Sequence, residues 1–389
     1  MIQPNTPFTF PAIRTEILFG NGVISDLPGR IRSMGSSRVL IVTDAGIVRA
    51  GVVDTVREVL MNEDISVGVF DDVPQDSGTA VAEAGAEQFR REEAEVVIGL
   101  GGGSSLDTAK ATAVAVANPH KLPQYGGLNK IEHAPVPMIA IPTTSGTGSE
   151  VSYWAAITND ENHVKIGIGG DYVFPRLAVC DPSLTMGLPP FITATTGIDA
   201  LTHAIESYVN RSYQPISSVL TYRAIELIGC YLVRAVKDGS DSEARYGMML
   251  ASTLAGMGMN PTRLGIVHAL AMPLGSWELK IAHGTGNAVL LPHVMEFNRS
   301  AVPERYADVA RGLGVVSGSD SGESAASKAV EAVRRICNEI GIPSGLGELG
   351  LTESWIPKVC EVAMKSGNIP ANPRDVNQEQ LESICRRAL

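Results

Sequence analysis

At 389 residues the chain is longer than a single hydrophobic core usually spans, so two domains are expected. Its 44% hydrophobic and 19% charged residues suit a globular α/β protein and argue against a disordered one. A formal net charge of −11 lacks the basic footprint that nucleic acid or an anionic membrane surface requires. The five cysteines (Cys180, Cys230, Cys337, Cys360 and Cys385) are odd in number and contain no CxxC pair, which argues against a disulfide framework or a thiolate zinc site and for free buried thiols in a reducing compartment. The N-terminal stretch MIQPNTPFTFPAIRTEILFG has no basic start followed by an apolar segment, and no later apolar run reads as long enough to cross a bilayer. A cytoplasmic protein with no membrane partner is the expectation.

From about Arg14 to Pro189, short β-branched runs alternate with helical stretches. RVLIVTD (38–44), AEVVIGLGGG (94–103) and PMIAIPTTSG (137–146) read as buried strands, with GVVDTVREVL and AVAEAGAEQFRREE as helices, a pattern that implies βα units and a mostly parallel sheet. EVSYWAAITND, HVKIGIGG and FPRLAVCDP read as further strands adding a hairpin-like element. After GLPP (187–190) the strand signal ends, and FITATTGIDALTHAIESYV, VLTYRAIELIGCYLVRAV, ARYGMMLASTLAGM and ESAASKAVEAVRRICNEIG carry helical periods. The expected division is an α/β domain over 1–188 and an all-α domain over 189–389.

GLGGGSSLDTAK (99–110) follows a strand and opens a helix, so backbone N–H groups and the helix dipole converge where a phosphate could bind. It is neither GxGxxG nor a P-loop, since no GK[ST] closes it. Asp44 ends an earlier strand, where an acidic side chain either accepts from an adenosine ribose diol, favouring NAD over NADP, or caps the following helix. PTTSGTGSE (142–150) adds a second small-residue loop, with Thr143, Thr144 and Thr147 as hydroxyl donors.

Asp199 and His203 in GIDALTHAIE are spaced i, i+4 on a helical segment; His268 lies in GIVHALAMPLG and His283 in AHGTGNAVLLPH. Three imidazoles and one carboxylate suit a divalent cation of borderline softness, and the small residues flanking each His leave room for one. These four are the expected metal site.

With the glycine run, PTTSGTGSE, DPSLTMGLP, GIDALTHAIE, the two later His motifs and ANPR (371–374) in order, the chain resembles the iron-dependent (group III) alcohol dehydrogenases over nearly its whole length. The resemblance implies a dehydroquinate synthase-like architecture. Its N-terminal domain would be a Rossmann-like variant, its C-terminal domain helical, with a cleft holding nicotinamide and metal. It also implies that Asp199, His203, His268 and His283 bind the metal and act catalytically through it. Asp44, Gly102, Gly103, Ser104, Asp107, Thr143, Thr144, Thr147 and Lys165 would bind NAD, and Trp154, Met259 and Leu264 would line the substrate end. The implied activity is hydride transfer between an alcohol and NAD, giving an aldehyde or ketone, with Fe²⁺ as the metal and Zn²⁺ or Ni²⁺ as competitors by affinity.

Three departures from the family pattern stand out. Met272 replaces a histidine proposed elsewhere to relay protons, the interval from His268 to His283 is one residue longer than is common, and VPQDS (73–77) replaces a Pro-Asn-Pro segment. The alternative within the same fold is a sugar-phosphate cyclase or glycerol dehydrogenase relative. A cyclase would need basic side chains for a substrate phosphate, for which Arg211 and Arg263 are the nearest candidates. Strands in TPFTFPAIRTEILFG, paired across a two-fold axis, would give a dimer.

Overall fold

The computed structural model describes residues 8–212, 214–277, 279–316 and 322–389. Residues 6–7 of the segment expected to pair across a two-fold axis, and Glu278 in the loop before His283, lie outside these. The chain forms two compact units, one of residues 13–144 and 148–187, the other of 8–12, 145–147 and 188–389. This corrects the expected division: 8–12 and 145–147 belong with the helices, because compactness follows contacts in space and a strand-following loop can leave its own unit.

In the α/β unit the strands are β1 (Glu16–Phe19), β2 (Arg38–Val42), β3 (Ser66–Phe70), β4 (Val96–Gly101), β5 (Gly127–Leu128), β6 (Met138–Pro142), β7 (Trp154–Asn159), β8 (Val164–Gly169) and β9 (Leu177–Cys180). The helices are α1 (Leu27–Ser33), α2 (Ala45–Arg49), α3 (Val52–Met61), α4 (Thr79–Arg91) and α5 (Gly103–Ala117). Six strands make a sheet of order β1-β9-β6-β4-β2-β3, parallel at every pairing. Its central strands β4 and β6 are buried throughout, which is why they read as unbroken apolar runs. One side buries Ile98 and Ile139 with Ile31 of α1 and Val56 and Leu60 of α3; the other buries Leu106, Ala109 and Ala113 of α5 with Val97 and Met138.

Of the three late strands expected to form a hairpin-like addition, only two do so. β7 and β8 pair antiparallel, with β5 on the far edge of β8. FPRLAVCDP instead supplies β9, which inserts between β1 and β6 of the main sheet. Its residues Leu177–Cys180 are all buried, the signature of a central parallel strand and not of a hairpin arm.

The second unit contains α6 (Pro190–Val209), α7 (Pro215–Lys237), α8 (Ser242–Thr262), α9 (Ile266–Leu274), α10 (His283–Asn298), α11 (Pro303–Gly312), α12 (Gly322–Glu339), α13 (Ile356–Met364) and α14 (Gln378–Arg387). A single apolar core runs through it, from Ile198 and Leu201 to Leu270, Leu290, Val333 and Ile384. The segment of α7 has the length and hydropathy to cross a bilayer, against the expectation that no run does. It packs against α6, α8 and α11, buries Ser217 and Thr221 among polar partners, and reads as a core helix. Four of the cysteines are buried as expected, Cys230 is exposed, and none forms a disulfide.

Candidate metal centre and dinucleotide loop

Residues at i, i+4 and i+7 share one face of a helix, and on α6 these are Asp199, His203 and Glu206. His268 is the third residue of α9 and His283 the first of α10. The start of α10 comes so close to α6 that a Cβ on Gly284 would lie 2.8 Å from the carbonyl oxygen of Thr195, a clash only glycine avoids. From these elements Asp199, His268 and His283 bring their ligand atoms within 4.8 Å of one another. Nε2 of His268 is 3.7 Å and Nε2 of His283 4.0 Å from Asp199 Oδ1. His203 stands beside this trio and outside its mutual spacing: its Nε2 is 4.0 Å from Asp199 Oδ1, and its ring stacks on that of His268 with centroids 4.6 Å apart.

Two of the imidazoles have their tautomer assigned by their partners. Nδ1 of His203 lies 3.3 Å from the carbonyl oxygen of Gly146, and Nδ1 of His268 lies 2.7 Å from a carboxylate oxygen of Glu206. Both partners only accept, so each Nδ1 carries the hydrogen, and in the neutral ring Nε2 is left with the lone pair. Burial alone would raise the Asp199 pKa, but the neighbouring His203, His283 and His268, with a hydrogen bond from Asn287, outweigh it and hold the carboxyl below the usual range. Burial pushes the His203 imidazole toward its neutral, ligand-competent form, although Asp199 opposes this.

The donor chemistry of the trio fits a divalent cation. Nδ2 of Asn287, one turn beyond His283, is 2.6 Å from Asp199 Oδ1 and 3.2 Å from Nε2 of both His268 and His283. An amide offers two hydrogens, and here three ligand atoms surround it in a buried site, while Asn287 Oδ1 has no hydrogen-bond partner among the described residues. One cation would satisfy the set that the amide satisfies only in part.

In the α/β unit, β4 runs into α5 through Gly101, whose φ of +145° is open only to glycine. Gly102 is the N-cap of α5 and Gly103 its first residue, and no side chain caps the helix, which leaves its first amides without a side-chain acceptor, as an anion site would require. Ser104 Oγ accepts from the Asp76 N–H. Asp44 caps α2: Oδ1 accepts from the N–H groups of Gly46 and Ile47 at 2.8 and 3.1 Å, and Oδ2 from Ser105 Oγ at 3.0 Å, which ties β2 to the glycine loop. Asp107 accepts from Ser149 Oγ and the Ala156 N–H, holding α5 to the segment around β7. Thr143 is buried with its hydroxyl unpartnered among the described residues, Thr144 lies beside Gly102, and Thr147 belongs to the helical unit.

Lys165 on β8 is ion-paired with Asp76, which the VPQDS segment places in a left-handed conformation (φ +53°) that no proline can adopt. Trp154 packs its ring over Gly167 and Gly169 of β8, whereas Met259 and Leu264 lie at the end of α8 and in the turn to α9. Arg211 pairs with Asp375 at 2.6 Å, and Arg263 closes α8 through its backbone N–H, which donates to the Met259 carbonyl. The sequence reading missed Glu206 and Asn287. Each lies on the same helical face as an expected ligand, at i+3 from His203 and i+4 from His283, which is a signal the spacing carried.

Family comparison matches residues 14–182 to the iron-containing alcohol dehydrogenase model and residues 193–389 to the C-terminal model of the Fe-containing alcohol dehydrogenase family. The 1,3-propanediol dehydrogenase of Klebsiella pneumoniae is 38% identical over 372 residues, covering 95% of this chain and 96% of that protein. Alcohol dehydrogenase 4 of Saccharomyces cerevisiae (strain S288c) is 38% identical over 385 residues, covering 98% of each chain. Among solved structures, a 1,3-propanediol oxidoreductase superposes with a TM-score of 0.95 at 38% identity, over 99% of this chain and all of that one. A sulfoacetaldehyde reductase from Bifidobacterium kashiwanohense, solved in complex with NAD⁺, gives a TM-score of 0.88 at 30% identity over 99% of each.

Proposed function

The chain belongs to the iron-containing alcohol dehydrogenase family and is an oxidoreductase of alcohols, and from that premise we propose that it couples alcohol and carbonyl to NAD⁺ and NADH at a site built on Asp199, His203, His268 and His283. The convergence of Asp199, His268 and His283 within 4.8 Å carries this reading. In it, these residues hold one divalent cation, with His203 completing the set. Such a cation supplies Lewis acidity, which eases loss of the alcohol proton and polarises a carbonyl. Fe²⁺ is the proposed occupant on family grounds, in competition with Zn²⁺ and Ni²⁺.

The protein's own part is binding and orientation. The uncapped start of α5, with Gly102, Gly103 and Ser104, would hold the dinucleotide's phosphates by backbone N–H groups. The close packing of His203 on His268 keeps both rings in register with Asp199. Met272, one helical turn after His268, offers only a thioether and carries no proton at neutral pH, so the alcohol proton leaves by another path. β1 is an edge of the main sheet, and we assign the homodimer contact to it.

The test follows absorbance at the NADH band over a panel of alcohols, diols and aldehydes, on metal-free protein and after anaerobic addition of Fe²⁺. Turnover that requires the metal is expected. Equal turnover without it, on protein of verified metal content, refutes the assignment of the site.

A further inference from the structure

We infer that Glu206 is a positioning residue of the metal centre: it fixes His268 in the tautomer that directs Nε2 at the cation. The inference rests on the proposed reading that the Asp199 cluster holds a cation.

Glu206 is 5% exposed, and both of its oxygens are engaged within the protein. Oε1 accepts from the Val267 N–H at 2.7 Å, and Oε2 accepts from the Gly265 N–H at 3.0 Å and faces His268 Nδ1 at 2.7 Å. A neutral imidazole has one N–H, and a carboxylate has none to give, so the hydrogen must lie on Nδ1 and the lone pair on Nε2. That Nε2 is the atom 3.7 Å from Asp199 Oδ1. The same carboxylate grips the first turn of α9 through two backbone amides, so it sets the position of the His268 backbone and the orientation of its ring together. Because Asp199 and Glu206 lie seven residues apart on α6, one rigid helix supplies both a ligand and the group that aims a second ligand on another helix.

His203 has the corresponding hydrogen bond only to the neutral carbonyl of Gly146, at 3.3 Å. The charge-assisted contact at 2.7 Å therefore holds His268 more firmly than His203. The cavity beside Glu206, lined by Gly265, Asn298, Tyr306 and Asn372, measures about 10 Å³, room for no more than one water. Three donors converge on Glu206, and a glutamine offers them a single oxygen, so in Glu206→Gln at least one donor loses its partner.

Two measurements decide the matter. The first titrates Fe²⁺ or Zn²⁺ into metal-free wild type and Glu206→Gln under anaerobic conditions against a chromophoric chelator. Wild type should bind one cation per chain and Glu206→Gln ten- to a hundred-fold more weakly, the range for loss of an orienting carboxylate. Equal affinities overturn the inference, whereas a wild type that binds no cation overturns the reading on which it rests. The second needs no Glu206 variant: ¹⁵N-histidine NMR of the metal-free wild type, with the His268 ring identified by its disappearance in His268→Gln. An Nδ1–H tautomer is expected at His268. An Nε2–H tautomer would overturn the inference even if Glu206→Gln failed to fold.

Discussion

Asn298 and Asn372 form a reciprocal amide pair: each donates Nδ2 to the other's Oδ1 at 2.8 Å, and each is at least 98% buried. The pair joins the end of α10 to the ANPR segment, whose Arg374 donates to the Phe297 carbonyl and stacks 4.1 Å over the Phe297 ring. Asn372→Ala leaves the Asn298 amide buried without its partner and is expected to cost about 2–3 kcal/mol. A urea midpoint shifted at unchanged slope would show this; an unshifted midpoint would mean the pair contributes nothing net.

The four expected ligands should not be equal. Because Asp199, His268 and His283 share one tight spacing and His203 stands beside it, alanine at any of the three should weaken metal binding by at least about 100-fold. His203→Ala should lose less, on the order of 10-fold, because His203 completes the set from outside the spacing that the other three share. Metal content per chain after dialysis, with chelator competition, ranks the four. A His203 effect as large as that of His268 would contradict the geometry.

Lys110 on α5 is 2% exposed, and its Nζ donates to the Ser152 and Trp154 carbonyls at 3.0 and 2.8 Å. Burial pushes its pKa down to about 8, although Asp107 and Glu150 pull upward. In the unfolded chain it titrates near 10.5. Between these values the unfolded state binds a proton that the folded state has lost, so stability rises with pH across that window. Below pH about 8 the cost of holding the charge inside is present in full, roughly 3 kcal/mol. Lys110→Met should flatten the stability profile between pH 8 and 10 relative to wild type in denaturant melts. Parallel profiles would remove Lys110 as the source.

Gly101→Ala places a Cβ 2.6 Å from Ser105 Oγ at a φ that alanine strongly disfavours. Relief requires Ser105 to move, which breaks its hydrogen bond to Asp44 and disturbs the first turn of α5. We expect a loss of about 2–3 kcal/mol in stability and weaker NADH binding by fluorescence titration. Unchanged NADH affinity in a destabilised variant would separate the loop's structural role from its proposed phosphate contact.

Much of this was legible in the sequence for physical reasons. β4 and β6 are buried on both faces and therefore read as unbroken apolar runs, and α6 announces itself by helical period. What escaped the reading depended on contacts between distant residues. That FPRLAVCDP becomes β9 between β1 and β6 is a matter of sheet order, on which local periodicity is silent. Asp44 at a strand end fits both a ribose and a helix cap, and only the placement of Gly46, Ile47 and Ser105 around it shows the cap. Glu206 carried a readable signal at i+7 from Asp199, but its role appears only once α9 brings His268 Nδ1 against it.

The pairing of β1 with β9 sets a timetable for synthesis. Glu16 meets its partner Leu177 only after 161 further residues have been added, since 177 − 16 = 161. At roughly 5–20 residues per second the first strand leaves the ribosome some 8–30 seconds before the segment that will hold it follows. During that interval the nascent chain carries an apolar β-strand with no native neighbour, and slowing translation just upstream of Leu177 should lengthen its exposure to chaperones.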